Sequence, residues 1–435
     1  MLARFAGTAV LSIVCVATAQ AQDDPRSAYD ARLGAFVGAY RLPGGDPLVF
    51  RLANGGGLVV RDLESGLLAV VEAIGDDRFV SGDSIGASFL RGPDGAVREV
   101  RWQRIGESVS ATRIPLSFET IAFASGDATL EGTLVLPGRE GPHPAVVIQP
   151  GSSWILRESA ESLETAITFA AYGIAGLAYD KRGYGSSSGA TLVSFDETAR
   201  DAAAAAEALT DLFDVNPDWI GIWGLSQGAW IAPLAAMRSE AIRYVVLVGA
   251  PGTSPARQEI QRTRNRAIAE RLPPEDVEAV SRFQELSFRY GDTGLGWEEY
   301  ARARAEAEGR PWLRWVWAPT EPGFDNFGWG RLNGAYNPLP ALLALREPVL
   351  ALWGEHDVNV DPEVHRSIFE IALDAAGNRD FTLTIVPDAD HVLQVATSRA
   401  SADVQDRIAP GVWDSVVGWV RERTVVAAAR RDLPD

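Results

Sequence analysis

Residues 219–228 read WIGIWGLSQG, and this stretch decides the fold of the chain. An apolar run ends at a serine between two glycines and is followed by a second apolar segment, which predicts a strand, a tight turn and a helix. Such a turn strains its central residue, and side chains at the flanking positions would obstruct it. The Ser226 hydroxyl then projects from the turn, and the N–H groups of the following helix point at whatever it attacks.

A serine hydroxyl is a weak nucleophile unless a base accepts its proton, so Ser226 requires a histidine and a carboxylate. The sequence holds four histidines: His143, His356, His365 and His391. His391 follows the last predicted strand, in a loop that can reach the serine, and we expect it to be the base. His143 precedes a strand and belongs at the opposite sheet edge, whereas His365 is predicted on a helix surface. His356 also follows a strand and is the competing base.

The carboxylate that orients the base is expected in residues 354–360, GEHDVNV, which follow an apolar strand. Asp357 and Glu355 are the two candidates, and Asp357 could instead cap the segment after it. Glu355, His356 and Asp357 also suggest a metal cluster. Adjacent residues rarely point at one ion, however, and the chain has no H-E-x-x-H spacing, so we predict no metal and no cofactor.

The region from residue 116 to 435 alternates apolar strand-like runs with helical stretches, which predicts a mostly parallel, doubly wound sheet covered on both faces. The sequence SFDE at 194–197 predicts a capping box that begins a long helix. Between about 252 and 345 the alternation stops, and helical, tryptophan-rich stretches predict a cap inserted over the sheet. Those tryptophans either form the core of the cap or line an apolar acyl or aryl pocket.

Residues 22–115 are predicted to form a small β-rich domain, because short β-like runs recur between turn residues. The glycines at 55–57 are interpreted as a hairpin turn, since no lysine follows to make a phosphate loop. With the opening FVGAYR at 36–41, this region resembles the β-rich domains appended to some bacterial secreted hydrolases.

Over roughly residues 116–425 the chain resembles the α/β-hydrolase superfamily. Ser226, Asp357 and His391 occur in that family's order, each after the expected strand. The resemblance favours Asp357 over Glu355, because the segment is similar to the G-x-x-D-x-x-V turn that bears the family's acid. It implies an α/β-hydrolase fold with a helical cap, preceded here by an all-β domain.

The resemblance also implies an oxyanion hole made from two backbone N–H groups. Gln227, directly after the nucleophile, supplies one of them. The other is expected from Ser152 or, failing that, Ser153, in a loop where many relatives read His-Gly-x-Gly and this chain has Pro150 in place of the histidine. Arg157 could pack this loop or touch substrate.

Residues 180–186, DKRGYGS, are similar to the family's D-x-R-G-x-G-x-S turn. We expect Asp180 and Arg182 to form a structural ion pair near the site. The glycine spacing differs from G-x-G-x-x-G, which argues against a dinucleotide site.

Residues 1–21 carry a positive start, an apolar stretch and small-x-small sequences, which predict a secretory signal peptide cleaved after Ala21 or Ala19. It is too short to span a bilayer. The single cysteine, Cys15, lies within it, so the mature chain would have no disulfide. These features predict a periplasmic or secreted bacterial protein. The net charge of −18 argues against nucleic acid or an anionic membrane as partner.

Together these patterns predict a secreted serine hydrolase that cleaves carboxylic esters through an acyl-enzyme. A peptidase or amidase is the nearest alternative, because the chain also resembles serine aminopeptidases and prolyl-oligopeptidase-type domains. The substrate would be a small-molecule ester or a short peptide. A non-catalytic binding protein is the alternative from another class, and an intact triad argues against it.

Overall fold

The structure is a computed structural model that describes residues 32–53, 57–152, 156–159, 161–400 and 403–431. The predicted signal peptide, residues 1–21, lies outside these ranges. Within them, no helix is both long and apolar enough to cross a membrane.

The N-terminal region forms a closed antiparallel barrel of eight strands within the described residues, because β1 pairs with both β2 and β8. The strands are β1 (Gly38–Arg41), β2 (Pro47–Leu52), β3 (Leu58–Asp62), β4 (Leu68–Ala73), β5 (Arg78–Ser81), β6 (Ile85–Arg91), β7 (Val97–Arg104) and β8 (Glu107–Arg113). The predicted all-β domain is therefore confirmed. Strand β8 gave no clear sequence signal, since Ala111 is its one fully buried residue.

Aromatic side chains pack in the core of the barrel. Phe36, Tyr40, Phe50 and Phe89 form a cluster with ring centroids 4.5–5.6 Å apart. Such contacts add to the stabilisation that burial of the rings already provides.

The second sheet has the spatial order β16-β15-β14-β13-β11-β12-β10-β9. In this spatial order the strands from β16 to β12 pair in parallel. At the other edge, β10 pairs antiparallel with both β12 and β9. Its strands are β9 (Leu116–Ser125), β10 (Ala128–Pro137), β11 (His143–Gln149), β12 (Ala175–Tyr179), β13 (Val215–Leu225), β14 (Ile242–Val248), β15 (Val349–Gly354) and β16 (Phe381–Val386). A short hairpin of β17 (Gln394–Ala396) and β18 (Val404–Ile408) follows.

Helices cover both faces of this sheet, as predicted. Helices α2, α3 and α9 bury their apolar residues against one face, and α1 and α10 pack on the other. The helices are α1 (Leu163–Ala171), α2 (Phe195–Thr210), α3 (Gly228–Ala236), α4 (Pro255–Ala269), α5 (Pro274–Thr293), α6 (Trp297–Glu306), α7 (Phe324–Asn333), α8 (Leu339–Ala344), α9 (Pro362–Ala376) and α10 (Val412–Arg431). The predicted capping box at the start of α2 is present, because Ser194 and Glu197 bond each other's backbone N–H groups.

Helices α4 to α8 lie between β14 and β15. Helices α4 to α7 form the inserted cap, whereas Leu342 of α8 packs in the core of the sheet domain. The cap has its own core, which contains Phe283, Tyr300 and Trp312, all at most 2% exposed. The Trp312 indole donates a hydrogen bond of 3.0 Å to buried Asp276. This tryptophan therefore belongs to the core of the cap, one of the two roles expected from the sequence.

The barrel is fixed to the sheet domain through polar contacts with α1. Arg51 and Arg61 of the barrel both bind the Glu164 carboxylate, and Arg51 does so at 2.8 Å. Tyr172, just after α1, donates to Asp46 at 3.0 Å. The two domains thus share an interface with buried charge, on the helix that follows the predicted oxyanion loop.

Candidate active site

The strand–turn–helix unit at Ser226 is formed as predicted. Strand β13 ends at Leu225, helix α3 begins at Gly228, and Ser226 between them has φ 52°. That left-handed conformation is unusual for a residue with a side chain, which is the strain expected of the turn. The Ser226 N–H donates to the carbonyl of Val248 at 2.9 Å, so the turn is held against the end of β14.

The two glycines of the turn are required by close backbone approach. A Cβ on Gly224 would lie 2.5 Å from the carbonyl oxygen of Gly228. One on Gly228 would lie 2.1 Å from the carbonyl oxygen of Gln149, at the end of β11. The glycine pattern therefore brings the serine turn into direct contact with the loop that follows β11.

His391 is paired with Asp357. Its Nδ1 lies 2.7 Å from Oδ2 of the fully buried Asp357, and the side chain of His391 is 13% exposed. The other carboxylate oxygen accepts the N–H groups of Asn359 at 2.7 Å and Val360 at 2.9 Å. These bonds fix the carboxylate, which in turn fixes the ring and leaves Nε2 free to accept a proton.

The imidazole lies next to the serine turn. A Cβ on Gly249 would be 2.6 Å from Cε1 of His391, so the ring packs directly on that glycine. Gly249 follows Val248, the residue whose carbonyl binds the Ser226 N–H. The fold thus brings Ser226, His391 and Asp357 together beyond the carboxyl ends of β13, β14 and β15, where open parallel sheets bind ligands.

The electrostatic surroundings make His391 a stronger base. Burial lowers the pKa of its imidazole, but the Asp357 carboxylate more than reverses this, and Asp390 and Glu161 act in the same direction. The pKa therefore lies above its usual value. A carboxylate that stabilises the imidazolium in this way is what proton transfer from a serine hydroxyl needs.

The expected oxyanion loop runs along the serine turn. Gly151 is buried, Ser152 is exposed, and Ser153 lies outside the described residues. Lys181 donates from Nζ to the carbonyl oxygen of Gly151 at 2.5 Å, which fixes the start of the loop. A Cβ on Gly228 would also lie 3.0 Å from the carbonyl oxygen of Pro150, so the start of this loop packs against the serine turn.

Arg157, just after the loop, is held by carboxylates of neighbouring elements. Its N–H donates to Asp180 at 2.8 Å, and its guanidinium lies 2.6 Å from Glu131 and 3.3 Å from Asp180. The expected ion pair between Asp180 and Arg182 is wrong. Asp180 instead accepts the backbone N–H of Ser186 within the turn and that of Arg157.

Arg182 instead pairs with Asp201 of α2 at 2.7 Å and with Asp127 at 2.8 Å. Its side chain is buried against the strands at the edge of the sheet. Residues i and i+2 share a face in a strand, but Asp180 and Arg182 belong to a turn, and their side chains bind different partners.

Two other histidines have structural environments that the sequence did not predict. His365 was expected on a helix surface, but it is 1% exposed and its Nδ1 accepts the N–H of Gly252. It lies on the face of α9 that packs beneath the start of the cap. Burial lowers its pKa to about 4, so it is neutral at physiological pH. His356 is half-buried with Nε2 3.8 Å from Asp388.

Glu355, His356 and Asp388 bring three potential ligand atoms within 4.8 Å of one another. Glu355 already accepts the N–H of Asp388 at 3.1 Å, and both carboxylates are exposed. Exposed acidic groups commonly lie together in this way, and a metal site usually has better buried and oriented ligands.

The sequence argument missed Glu161 and Lys181, which lie close to the oxyanion loop. Glu161 carries no motif, and it lies within electrostatic range of His391. Lys181 lies inside the D-x-R-G turn, and its position just after a strand could have indicated that it lies near the site. Burial lowers the pKa of Lys181 to about 8 and raises that of Glu161 to about 8.

An aromatic surface lies at the junction of α2, α3 and the cap. Phe195 stacks on Trp230 at 5.5 Å, and Trp329 and Tyr336 from the cap side pack edge-on against Phe195. Trp230, four residues after Ser226, donates its indole N–H to the carbonyl of Thr253 at the start of the cap. These rings join the serine-bearing helix to the cap.

The family model for the alpha/beta hydrolase family matches residues 134–404, well over half of the chain. The chain belongs to the alpha/beta hydrolase family. The match begins in β10 and extends past His391, so it includes all three members of the Ser226, Asp357 and His391 cluster. The α/β-hydrolase fold predicted from the sequence is confirmed.

Two curated relatives of this alpha/beta hydrolase are fungal. A polyketide transferase of Penicillium crustosum is 32% identical over 138 residues, which cover 31% of this chain and 44% of that protein. An acyltransferase of Aspergillus calidoustus is 33% identical over 136 residues, with coverage of 31% and 43%. The chain spans less than half the length of these relatives.

Solved structures similar to this alpha/beta hydrolase include an esterase of Pyrococcus furiosus, with 19% identity and a TM-score of 0.46. That match covers 71% of this chain and 91% of the esterase. A proline iminopeptidase of Mycobacterium smegmatis has 15% identity and a TM-score of 0.46, and the match covers 71% of this chain and 100% of the peptidase.

Proposed function

We propose that this alpha/beta hydrolase is a serine hydrolase that cleaves carboxylic esters through an acyl-enzyme. The observation that carries the proposal is the 2.7 Å contact between His391 and Asp357, with the imidazole packed on Gly249 beside the strained Ser226 turn. A fixed carboxylate, an oriented imidazole and a projecting serine are the three parts that activate a hydroxyl nucleophile.

In the first half-reaction Ser226 Oγ attacks the ester carbonyl carbon, and Nε2 of His391 takes the hydroxyl proton. The N–H groups of Gln227 and Ser152 stabilise the negative oxygen of the tetrahedral intermediate. When the intermediate collapses, the carbon–oxygen bond to the alcohol breaks and His391 returns the proton to the departing oxygen. Asp357 keeps the imidazole oriented and stabilises it while it is charged.

In the second half-reaction a water molecule attacks the acyl-enzyme, and His391 removes one of its protons. Collapse of the second intermediate releases the carboxylic acid and restores the Ser226 hydroxyl. No metal ion or cofactor is part of this proposal, because the proton transfers and charge stabilisation are assigned to these side chains and amides.

Acyl transfer to an alcohol or amine acceptor is a second candidate. The polyketide transferase and acyltransferase that match this chain at 32% and 33% identity favour it. The same acyl-enzyme would form, and the acceptor would replace water in the second half-reaction. Peptide or amide cleavage would use the same three residues, and the comparison of leaving groups described below tests it.

The site is tested with a fluorophosphonate probe, which reacts covalently with activated serines. We expect the wild-type protein to be labelled, and Ser226→Ala and His391→Ala to lose labelling. His356→Ala is the matched control and should remain labelled, since it replaces the competing histidine. Unlabelled wild-type protein, or loss of labelling in His356→Ala alone, would reject the assignment.

The reaction class is tested with one acyl chain on different leaving groups. Turnover of a p-nitrophenyl ester that greatly exceeds turnover of the matching p-nitroanilide supports an esterase. Preference for aminoacyl anilides supports a peptidase instead. Adding an alcohol acceptor and measuring the ratio of new ester to free acid distinguishes transfer from hydrolysis.

We further propose that the protein is exported to the periplasm or beyond, on the basis of the signal-peptide pattern in residues 1–21. N-terminal sequencing of the protein recovered from its native bacterial host tests this. Cleavage after Ala21 or Ala19 is the expected result, and an intact N-terminus in the cytoplasm would reject it.

A further inference from the structure

Glu161 has a buried carboxylate oxygen that the proposed mechanism does not use. It lies between the predicted oxyanion loop and helix α1, and the residue as a whole is half-buried. Its Oε2 has no hydrogen-bond partner among the described residues. A buried polar atom without a partner costs free energy, so such an atom in a binding site commonly meets a group of the ligand.

The carboxyl lies within electrostatic range of the proposed base. His391 and Lys181 both lower the pKa of Glu161, and the ionised form of Glu161 would raise the pKa of His391. Lys181 in turn binds the carbonyl of Gly151 in the oxyanion loop. Glu161 is therefore within electrostatic range of both the proposed base and the lysine that binds the oxyanion loop.

Glu161 carries little charge at neutral pH. Burial raises the pKa of its carboxyl to about 8, although the positive charges of Lys181 and Arg61 oppose this shift. The protonated carboxyl is both a hydrogen-bond donor and an acceptor. Neutral acids of this kind bind polar but uncharged groups in other active sites.

The neighbouring charges are mostly used by other partners. Glu164, one turn along α1, is bound by Arg51 and Arg61 of the barrel. Among the described ion pairs none joins Glu161 to a lysine or arginine. Among the described residues, no cation or hydrogen-bond donor binds Oε2 of Glu161, so this atom is available to a ligand.

We propose that Glu161 is a specificity-determining residue that binds a hydroxyl group on the acyl portion of the substrate, beside the scissile ester bond. This proposal rests on the proposed ester hydrolysis. A hydroxyl donates and accepts one hydrogen bond each, which matches a protonated carboxyl. A methylene at the same position would leave Oε2 unpartnered, and sites built for a hydroxyl discriminate against the analogue that lacks it.

An ammonium group fits this subsite less well than a hydroxyl. Lys181 and Arg61 are cations within electrostatic range of the Glu161 carboxyl. A substrate ammonium would meet their repulsion, and it would also require Glu161 to lose its proton. The subsite therefore favours hydroxyacyl esters over aminoacyl esters.

The experiment compares kcat/KM for p-nitrophenyl butanoate with its 2-hydroxy, 3-hydroxy and 3-amino analogues. For wild-type protein we expect one hydroxy ester to exceed the plain ester by about tenfold or more, and the amino ester to gain nothing. Glu161→Leu should reduce the hydroxy-to-plain ratio to about one. Glu161→Gln, which keeps a donor and an acceptor, should retain part of the preference.

Glu158→Gln is the matched control, because Glu158 is an exposed glutamate of the same segment. Its hydroxy-to-plain ratio should equal that of wild type. The proposal is overturned if wild type shows no hydroxy preference, if Glu161→Leu keeps it, or if the amino ester is the best substrate. If the proposed function itself is wrong, the result is different from these outcomes, because no ester would be turned over and Ser226 would not be labelled.

Discussion

His391 and Asp357 are 34 positions apart in the sequence, yet Nδ1 of the imidazole lies 2.7 Å from Oδ2 of the carboxylate. Asp357 is fully buried, and its second oxygen accepts two backbone N–H groups from the turn that follows it. The carboxylate is therefore held in position independently of His391. In this respect the proposed acid differs from Glu355, which lies two residues earlier and is exposed.

Asp357→Asn tests this assignment. The amide keeps the size of the side chain but removes the charge that stabilises the imidazolium, so we expect kcat to fall by about 10⁴-fold. The measurement is steady-state hydrolysis of a p-nitrophenyl ester. Glu355→Gln is the control and should stay close to wild type. A large loss in Glu355→Gln with full activity in Asp357→Asn would reassign the acid.

The pH dependence of kcat/KM follows from the raised pKa of His391. The base must be neutral to accept a proton from Ser226, so activity should rise with pH through the pKa of the free enzyme. Because Asp357 raises that pKa, the midpoint should lie above the ordinary value of about 6.5. In Asp357→Asn the residual activity should have a lower midpoint. A midpoint that does not move would show that another group controls the profile.

We expect the backbone strain at Ser226, which the active site needs, to lower the stability of the folded chain. Ser226 has φ 52°, which glycine adopts more readily than alanine. Ser226→Gly and Ser226→Ala should both abolish turnover, but the glycine variant should have the larger free energy of unfolding, by about 1 kcal/mol. Urea denaturation followed by circular dichroism measures the difference. Equal stability of the two variants would show that the turn relaxes at this position.

Much of the sheet domain could be predicted from sequence because its signals are local. The capping box predicted at residues 194–197 begins α2 in the structure, since a cap and the helix that it starts are adjacent in the chain. The glycines around Ser226 were correctly related to a tight turn, although the atoms that Gly228 would meet belong to a distant strand. Local patterns thus specified the elements and the order of the site residues.

The errors arose where a side chain's environment depends on packing between distant elements. His365 was predicted on a helix surface, but it is buried because the start of the cap covers that face of α9. Arg182 was assigned to Asp180, whereas the edge of the sheet brings it to Asp201. Glu161 has no sequence signal at all, yet it lies within electrostatic range of His391 in the folded chain.

The Arg182–Asp201 pair predicts a large effect on stability. Asp201 is 1% exposed and binds the Arg182 guanidinium through two contacts, at 2.7 and 3.1 Å. Asp201→Asn would leave a buried guanidinium short of compensating charge, and we expect the free energy of unfolding to fall by about 3 kcal/mol. Asp127→Asn is the matched control, because Asp127 binds the same arginine but is exposed. Similar losses in both variants would contradict the importance of burial.

We predict that the ion pairs of Glu164 attach the barrel to the hydrolase domain. Burial raises the pKa of its carboxyl, but Arg61 and Arg51 outweigh this and hold the pKa below its usual value. Ionised Glu164 therefore stabilises the folded chain above its unfolded pKa, and this stabilisation is lost as pH falls through the folded value. Glu164→Gln removes the charge that compensates two arginines, each with a side chain 13% exposed.

We expect Glu164→Gln to lower the urea midpoint at pH 7 and to make the segment between β8 and β9 more sensitive to protease, because the barrel loses its strongest polar attachment. The difference from wild type should shrink as the pH is lowered toward the pKa of free glutamate and below it. Glu207→Gln, an exposed glutamate on α2, is the control and should change neither quantity. If Glu164→Gln matches this control at pH 7, apolar packing alone is sufficient to hold the barrel against α1.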